Sequence, residues 1–172
     1  MEDMHFSVLM SVYIKEKSQF LKESLNSVFN QTLPPDEVIL VEDGPLTDEL
    51  YSTINDFTEK HKELKIIPLK ENHGLGYALN IGLKHCKYNL VARMDSDDIC
   101  KPYRFEKEIT FMHDHKDIDI CSSWIDEFEN DKKNVVSQRR IPETHEEIIR
   151  YAKFRCPVNH PTVVYKRDKI IQ

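Results

Sequence analysis

Three aspartates stand within four residues near the middle of the chain, in the segment Asp95-Ser-Asp-Asp98. Carboxylates this close repel one another unless a cation lies among them or one of them holds a proton. Mg²⁺ and Mn²⁺ take oxygen ligands, typically a carboxylate or two together with substrate phosphates. The apolar residues Leu90 to Met94 precede the segment and are typical of a short strand. An acidic segment after a strand is a candidate metal–phosphate site.

This acidic segment has two other interpretations. It can be a polar loop in which an aspartate caps the next helix, and for Asp98 alone we favour that interpretation. It can also be a calcium loop, because Asp95, Asp97 and Glu106 fall at ligand positions of that motif. Cys100, however, stands where the calcium loop needs glycine for its turn, so this interpretation fails.

A glycine-containing stretch, Asn72 to Gly82, follows the third apolar segment. Gly74 and Gly76 let the backbone approach a ligand, and the helix that follows offers free amides to an anion. The competing interpretation is a dinucleotide fingerprint, since Asp95 lies roughly 20 residues further on. That fingerprint needs a third glycine where this chain has Leu79, which argues against it.

Three further positions carry both a functional and a structural interpretation. Asp43, in the turn Glu42-Asp-Gly-Pro45, can accept hydrogen bonds from the imide edge of uracil or brace its own turn. Arg93 can neutralise Asp95 or form a structural ion pair, and the two roles coexist. His160, within Asn159-His-Pro161, can bring an imidazole near the site or be an ordinary turn residue.

The composition limits the class of protein. The 172 residues fit one domain, and 40% hydrophobic with 31% charged residues is ordinary for a folded chain. A net charge of −6 argues against a general nucleic-acid binder, which needs a basic surface. The acidic N-terminus is not typical of a signal peptide, and four scattered cysteines predict reduced thiols, so we expect a cytoplasmic protein.

The spacing of apolar residues predicts four β–α units in the first 115 residues. The predicted strands cover residues 6–12, 37–41, 64–69 and 90–94, and the helices residues 18–30, 48–61, 77–85 and 104–115. Ser18 is the predicted cap of the first helix. Beyond residue 115 the pattern predicts a strand over 118–124, a charged turn, a return strand over 135–140, a helix capped by Thr144 and Glu147, and a strand segment over 158–165.

This alternation predicts an α/β fold, with a mostly parallel sheet and helices on both faces. In such sheets ligands bind outside the carboxyl ends of the strands. Tyr13, Asp43, Asn72 and Asp95 each lie at or just past a strand end, so we expect one crevice to gather them.

Five segments, taken together and in this order, resemble the inverting family-two glycosyltransferases of the GT-A (Rossmann-like) fold, which build bacterial surface polysaccharides. They are Phe6 to Tyr13, Leu25 to Thr32, Val38 to Gly44, Asn72 to Gly82 and Ala92 to Arg104. The third is similar to the family's "VDDGS" turn, the fourth to "NxGxxxAxNxG" and the last to "aRxDxDDxxxPxR". The match covers essentially the whole chain.

The resemblance implies a role for each site residue. Asp43 would bind uracil, bordered by Val12 and Tyr13, while Asp95 would contact the ribose or metal-bound water. Asp97, with Asp95, would hold Mn²⁺ or Mg²⁺ against the diphosphate of a UDP-sugar. The further nucleotide-sugar residues implied are Asn72, Gly74, Asn80, Arg93 and Ser96.

The resemblance also has departures and gaps. Glu42, Pro45 and Leu79 stand where the family usually has aspartate, serine and arginine. The family's general base is expected beyond Gln172. We therefore interpret the chain as one GT-A domain with its C-terminal part truncated, in which residues 1–115 bind nucleotide and 116–172 begin the acceptor side. The implied acceptor is a saccharide or a lipid-linked saccharide, so peripheral contact of the full protein with the inner membrane face is expected.

Three alternatives stay open at this point. A nucleotide-binding but catalytically incomplete fragment fits the same motifs. A nucleotidyltransferase has a similar sheet, but it needs a glycine-rich basic loop where this chain has Tyr13-Ile-Lys-Glu-Lys17. A receiver domain needs an acidic pair after the first strand and a phospho-acceptor after the third, where Tyr13 and Lys70 stand.

Overall fold

Four strands from the first half of the chain lie parallel at the centre of the molecule. The structure is a computed structural model, and it describes residues 4–170. A helix follows each strand, and the predicted bounds hold to within about three residues. The elements are β1 (Phe6–Val12), α1 (Ser18–Phe29), β2 (Glu37–Glu42), α2 (Asp48–Thr58), β3 (Leu64–Pro68), α3 (Leu75–His85), β4 (Leu90–Arg93) and α4 (Arg104–Asp114).

The second half of the chain contains shorter elements. They are β5 (Ile120–Cys121), β6 (Ile125–Phe128), β7 (Val135–Arg139), α5 (His145–Ala152), a 3₁₀ helix (His160–Thr162), β8 (Val164–Lys166) and a second 3₁₀ helix (Arg167–Lys169). The predicted capping box at the start of α5 is confirmed, since the Thr144 hydroxyl accepts from the Glu147 amide and the Glu147 carboxylate accepts from the Thr144 amide.

The main sheet has the strand order β3-β2-β1-β4-β8-β5. β8 runs antiparallel to both of its neighbours, whereas the other adjacent pairs are parallel. Helices cover both faces: α1, α2 and α4 contribute to one apolar cluster, and α3 contributes to the other. The predicted α/β fold with a mostly parallel sheet is confirmed. Among residues 4–170, every helix is too short or too polar to cross a bilayer.

Two local predictions were wrong. Lys17 occupies the N-cap position of α1, so Ser18 is its first helical residue rather than its cap. The strand predicted over residues 118–124 is reduced to β5, because Ser122 and Ser123 bond to the Asn159–Thr162 segment instead of a strand partner.

The hairpin in the second half therefore begins later than predicted. It pairs β6 with β7, with Ile125 opposite Arg139 and Asp126 opposite Gln138. The charged turn predicted over residues 126–133 therefore contains most of β6, in which two of the four residues are acidic. Those side chains are stabilised across the hairpin, as when the Gln138 amide donates to the Asp126 carboxylate at 2.9 Å, and such pairs are invisible in a linear pattern.

One glycine sets the distance between α3 and the sheet. A Cβ atom at Gly82 would lie 2.5 Å from Leu9 Cδ1 and 2.7 Å from Val41 Cγ2. Both atoms belong to fully buried side chains of β1 and β2 and have little room to move. Glycine is therefore required for α3 to pack this close to the strands that carry the crevice.

We predict that Gly82→Ala lowers the free energy of unfolding by about 1–3 kcal/mol through overpacking. The matched control is Gly76→Ala in the same helix, where an added Cβ meets open space. There alanine should be neutral or stabilising by up to about 1 kcal/mol, because it restricts the unfolded chain and favours helix. Urea titrations of both variants measure the difference, and equal destabilisation would contradict the close approach of α3.

Candidate active site

Asp43 joins three of the loops at the carboxyl edge of the parallel sheet. Its amide donates to the Val12 carbonyl at 2.8 Å. Its carboxylate accepts from the amides of His73 at 2.8 Å and Gly74 at 2.9 Å, and the Asn72 side chain donates to its carbonyl at 3.1 Å. The buried Asp43 thus braces the neighbouring loop rather than its own turn. Its oxygens still have acceptor capacity, because a carboxylate offers about four lone-pair sites.

Gly44 makes this junction possible. Its φ of +86° lies in the left-handed region, and a Cβ there would stand 2.7 Å from the Asn72 amide nitrogen. Gly74 likewise has a φ of +88° where the loop turns into α3. The loops after β2 and β3 therefore lie in direct contact through backbone atoms.

The loop after β1 contacts the acidic segment after β4. The Ser96 hydroxyl donates to the Glu16 carboxylate at 2.7 Å, and the same carboxylate accepts from the Lys17 amide at 2.8 Å. Tyr13 lies in this loop with 42% of its surface exposed. Sequence reasoning missed Glu16, although its place just after β1 was a usable signal. The loops after β1, β2, β3 and β4 therefore meet at the carboxyl edge of the parallel strands.

The acidic segment brings three carboxylates together. Asp95, Asp97 and Asp98 each present an oxygen within 4.8 Å of the others, and Asp95 is paired with Arg93. Burial, then the charges of Glu16 and Asp95, raises the pKa of Asp97. Burial, then the charges of the other two aspartates, raises the pKa of Asp98 to about 6. Three oxygen donors that crowd together without full neutralisation fit a hard divalent cation.

The structure corrects our interpretation of Asp98. Tyr103 occupies the N-cap position of α4, which begins at Arg104 as predicted and has no side-chain hydrogen bond at its cap. Asp98 is therefore part of the carboxylate cluster and caps no helix turn. Its place depends on the path of the loop, which turns at Ser96 and Asp97.

Two serines of α1 hold the backbone of the acidic segment. The Ser24 hydroxyl donates to the Asp95 carbonyl at 2.8 Å, and the Ser27 hydroxyl accepts from the Cys100 amide at 2.9 Å. Ser24 is fully buried. These bonds hold the loop through its backbone and do not use the carboxylates of Asp97 and Asp98, which suits a metal site.

Gln31 and Thr32, just after α1, hold the other end of the loop against α4. The Gln31 amide donates to the Lys101 carbonyl at 2.9 Å, and its oxygen accepts from the Phe105 amide at 3.1 Å. The Thr32 hydroxyl donates to the Glu106 carboxylate at 2.6 Å. This is the structural role of the segment Leu25 to Thr32 singled out in the sequence.

A buried ion pair supports the end of β4. Arg104 Nε donates to Glu108 Oε2 at 2.9 Å, and Arg104 Nη2 donates to the Arg93 carbonyl at 2.9 Å. The Ser123 hydroxyl donates to the other Glu108 oxygen at 2.7 Å. The pair thereby connects the acidic loop to the second half of the chain.

Arg93 and His160 lie behind the carboxylates. Arg93 is 2% exposed, and its Nε and Nη1 find no hydrogen-bond partner among residues 4–170. The Arg93 amide donates to the Val163 carbonyl at 2.8 Å, which brings the 3₁₀ helix at His160 alongside β4. Burial, then the Arg93 charge, lowers the pKa of His160. The ring is therefore neutral near pH 7, within the electrostatic reach of Asp95.

Asn80 stands apart from the other predicted positions. It lies on the exposed side of α3, and the hydrogen bonds that connect the four loops run through other residues. Its implied role in binding stays a prediction.

Residues 7–171 match glycosyl transferase family 2. The chain belongs to this family. The family match covers β1 through β8, so it includes every loop of the crevice just described.

Two curated relatives are similar along nearly the full length of this chain. It is 42% identical over 97% of its length to a UDP-Gal:alpha-D-GlcNAc-diphosphoundecaprenol beta-1,3-galactosyltransferase of Escherichia coli. It is also 42% identical over 96% of its length to the amylovoran biosynthesis glycosyltransferase AmsE of Erwinia amylovora. The chain spans 60% and 61% of these two relatives.

The fold also matches a solved structure. The solved fragment 1–349 of TarS of S. aureus superposes with a TM-score of 0.71 at 25% identity, over 95% of this chain and 47% of that fragment. TarS has also been solved in complex with UDP and with UDP-GlcNAc. This family-2 chain therefore has the GT-A fold that the motifs implied.

We predict that Gln31→Met lowers the free energy of unfolding by about 1–3 kcal/mol, because it leaves the Phe105 amide without its partner and removes one of the hydrogen bonds to the Lys101 carbonyl. Gln19→Met, on the exposed face of α1, is the control and should change stability little. Chemical denaturation measures both variants. A Gln31 variant as stable as the control would contradict the role of this side chain in holding the loop.

We predict a pH-dependent gain in stability from Asp98→Asn in the absence of divalent cations. The folded pKa of Asp98, about 6, lies above the ordinary aspartate value of 3.8, so its stabilising contribution is complete below pH 3.8 and is lost as pH rises through 6. The variant should therefore melt higher than the parent at pH 7.5, and the gap should narrow towards pH 4.

Thermal unfolding monitored by circular dichroism at several pH values gives this comparison. Asp56→Asn, an exposed aspartate on α2, is the matched control and should show a small, pH-independent difference. An Asp98 variant that is less stable than the parent at pH 7.5 would mean that the ionised carboxylate is well compensated.

Proposed function

We propose that the whole protein is a metal-dependent, inverting glycosyltransferase that moves a sugar from a UDP-sugar to a saccharide or lipid-linked acceptor in surface polysaccharide synthesis. The observation that carries this proposal is the Asp95–Asp97–Asp98 cluster beside the Asp43-braced loops. Because this chain spans about three fifths of its two curated relatives, we assign donor binding to the chain and transfer to the whole protein.

The donor nucleotide is assigned to the edge formed by the loops after β1 and β2. Asp43 retains acceptor capacity for the imide N–H of uracil, and the exposed Tyr13 ring with the end of β1 at Val12 offers an apolar border for the base. The E. coli relative is named for a UDP-Gal donor, and TarS binds UDP and UDP-GlcNAc, which supports uracil as the base.

The diphosphate and its cation are assigned to the acidic segment. Asp97 and Asp95 would hold Mn²⁺ or Mg²⁺, and Asp98 is the third oxygen donor within reach. When bound, the ion neutralises negative charge that develops on the departing nucleoside diphosphate. Ser24 and Ser96 keep the segment in place through their hydroxyls, so the carboxylates are available before the donor arrives.

The remaining predicted residues surround this edge. Asn72 and Gly74 hold the loop against Asp43, and Arg93 supplies buried positive charge beneath Asp95. Because of the family resemblance, we also assign Asn80 to the binding of the nucleotide-sugar. The general base is assigned to a carboxylate of the whole protein, which would deprotonate the acceptor hydroxyl as it attacks the anomeric carbon.

The acceptor and the place of action follow from the same proposal. The E. coli relative is named for a diphosphoundecaprenol-linked acceptor, which is a lipid-anchored saccharide. An acceptor of this class would bring the whole protein to the inner face of the membrane, with the domain itself in the cytoplasm.

Calorimetric titration of UDP with and without Mn²⁺ tests the donor site directly. We expect binding that depends on Mn²⁺ and is at least about tenfold weaker in Asp97→Asn, because the variant removes one anionic metal ligand. Asp56→Asn is the matched control and should bind as the parent does. Metal-independent binding, or binding unchanged in Asp97→Asn, would refute the metal–diphosphate assignment. Tighter binding of GDP than of UDP would replace uracil by guanine as the base that this site binds.

A further inference from the structure

Glu16 lies between the two parts of the donor site, and the proposed function gives it no role. It belongs to the loop after β1, which also contains Tyr13. Its carboxylate contacts Ser96, which stands between the candidate metal ligands Asp95 and Asp97. Glu16 therefore connects the loop assigned to the base directly with the segment assigned to the cation.

Hydrogen bonds engage both carboxylate oxygens of Glu16. Oε2 accepts from the Ser96 hydroxyl at 2.7 Å, and Oε1 accepts from the Lys17 amide at 2.8 Å. Lys17 is the N-cap residue of α1, so the carboxylate lies at the positive end of the helix dipole. A negative charge is stabilised there, and the two bonds fix the orientation of the side chain.

The backbone of Glu16 fixes the part of the loop that precedes it. The Glu16 amide donates to the Tyr13 carbonyl at 3.0 Å, which closes a turn over residues 13–16. The exposed Tyr13 ring is carried by this turn. Because one residue bonds both to the turn and to Ser96, the position of the turn and that of the acidic segment depend on each other.

Ser96 has little alternative to its bond with Glu16. It is 6% exposed, so water has poor access to its hydroxyl, and a buried hydroxyl without a partner is unfavourable. Its neighbour Asp95 is held separately, since the Ser24 hydroxyl donates to the Asp95 carbonyl at 2.8 Å. Loss of the Glu16 bond would therefore loosen the acidic segment at Ser96 and Asp97 and leave Asp95 anchored.

The charge of Glu16 also reaches the carboxylate cluster. Burial, then this charge, raises the pKa of Asp97. The Lys17 ammonium lies over the Phe20 ring, 4.9 Å from its centre, and Lys17 bonds to Glu16 through its amide instead. A fourth carboxylate beside three others is unfavourable unless a cation lies among them. Glu16 thus adds to the negative charge that a bound cation would balance.

We infer that Glu16 is a positioning residue that couples the two parts of the donor site. Through its bonds to Ser96 and to the Tyr13 turn, the base and the cation bind cooperatively without touching each other. The inference rests on the proposed function, because it concerns the same donor and the same cation. A nucleoside without phosphate should then tighten cation binding, and the cation should tighten nucleoside binding by the same factor.

The test is a titration of the chain with Mn²⁺, with and without millimolar uridine. Electron paramagnetic resonance measures the free ion directly. Uridine has no phosphate, so a bond between diphosphate and cation cannot produce the coupling. Guanosine is titrated in parallel as the second base. We expect uridine to tighten the binding of Mn²⁺ to the parent about fivefold, a factor usual for coupled sites.

Two variants should abolish the coupling. Ser96→Ala removes the hydroxyl and keeps the Glu16 charge, whereas Glu16→Ala removes the acceptor. In both, the ratio of Mn²⁺ affinities with and without uridine should fall to about one, because the two parts of the site are no longer joined. Circular dichroism checks that both variants are folded.

Two further variants should retain the coupling. Glu16→Gln should keep most of it, because the side-chain amide can accept from the Lys17 amide and donate to the Ser96 hydroxyl. Glu23→Gln is the matched control for loss of charge, since Glu23 is an exposed glutamate of α1 that accepts from Gln19 at 3.0 Å. It should behave as the parent does.

The affinity ratio separates failure of the inference from failure of the proposed function. A parent that binds Mn²⁺ equally well with and without either nucleoside refutes the coupling and leaves the metal site in place. Coupling that persists in Ser96→Ala and Glu16→Ala refutes the role of Glu16. Coupling that Ser96→Ala retains and Glu16→Gln loses assigns the effect to charge and also refutes positioning. A parent that binds no Mn²⁺ overturns the inference together with the proposed function.

Discussion

The first half of the chain holds three carboxylates close together despite their mutual repulsion, and the rest of the site depends on this constraint. Asp95, Asp97 and Asp98 lie within 4.8 Å of one another, and only Asp95 is paired with an arginine in the described chain. Burial, followed by the charges of Asp95 and Asp97, raises the pKa of Asp98 to about 6. Holding these carboxylates together lowers the free energy of unfolding, and a bound divalent cation would reduce this destabilisation.

The cluster persists because neighbouring elements hold the backbone of the loop without using the carboxylates of Asp97 and Asp98. Ser24, Ser27 and Gln31 bond to main-chain atoms of the acidic loop, and the Arg104–Glu108 pair supports the strand before it. Neutral hydrogen bonds to carbonyls and amides order the loop without neutralising its acids. The rigid support is therefore supplied by α1 and α4, while the charge remains available to a ligand.

The two halves of the chain differ in how their polar groups are held and how much of their apolar surface is buried. In the first half the polar groups of the crevice are braced from loop to loop, as Asp43 shows, and the apolar residues are enclosed in two clusters on either side of the sheet. In the second half, α5 and the β6–β7 hairpin leave apolar surface exposed. The halves are joined by the pairing of β4 with β8, by Lys101 with Asp126 and by Ser123 with Glu108. Loops that are fixed in place and carry carboxylates suit a metal-bound, charged ligand.

The sequence alone determined the four β–α units, the capping box of α5, the order of the loops and the family. These depend on local periodicity and on motifs of fixed spacing, which a linear chain displays directly. Only the tertiary structure decided that Asp98 joins the cluster, that Glu16 reaches Ser96, and that Asp43 braces the loop at His73 and Gly74. It also moved the hairpin to β6 and β7, because the side-chain pairs that stabilise charged strands form between residues far apart in sequence. Such contacts exist only after the sheet brings distant segments to one edge, and no local pattern encodes them.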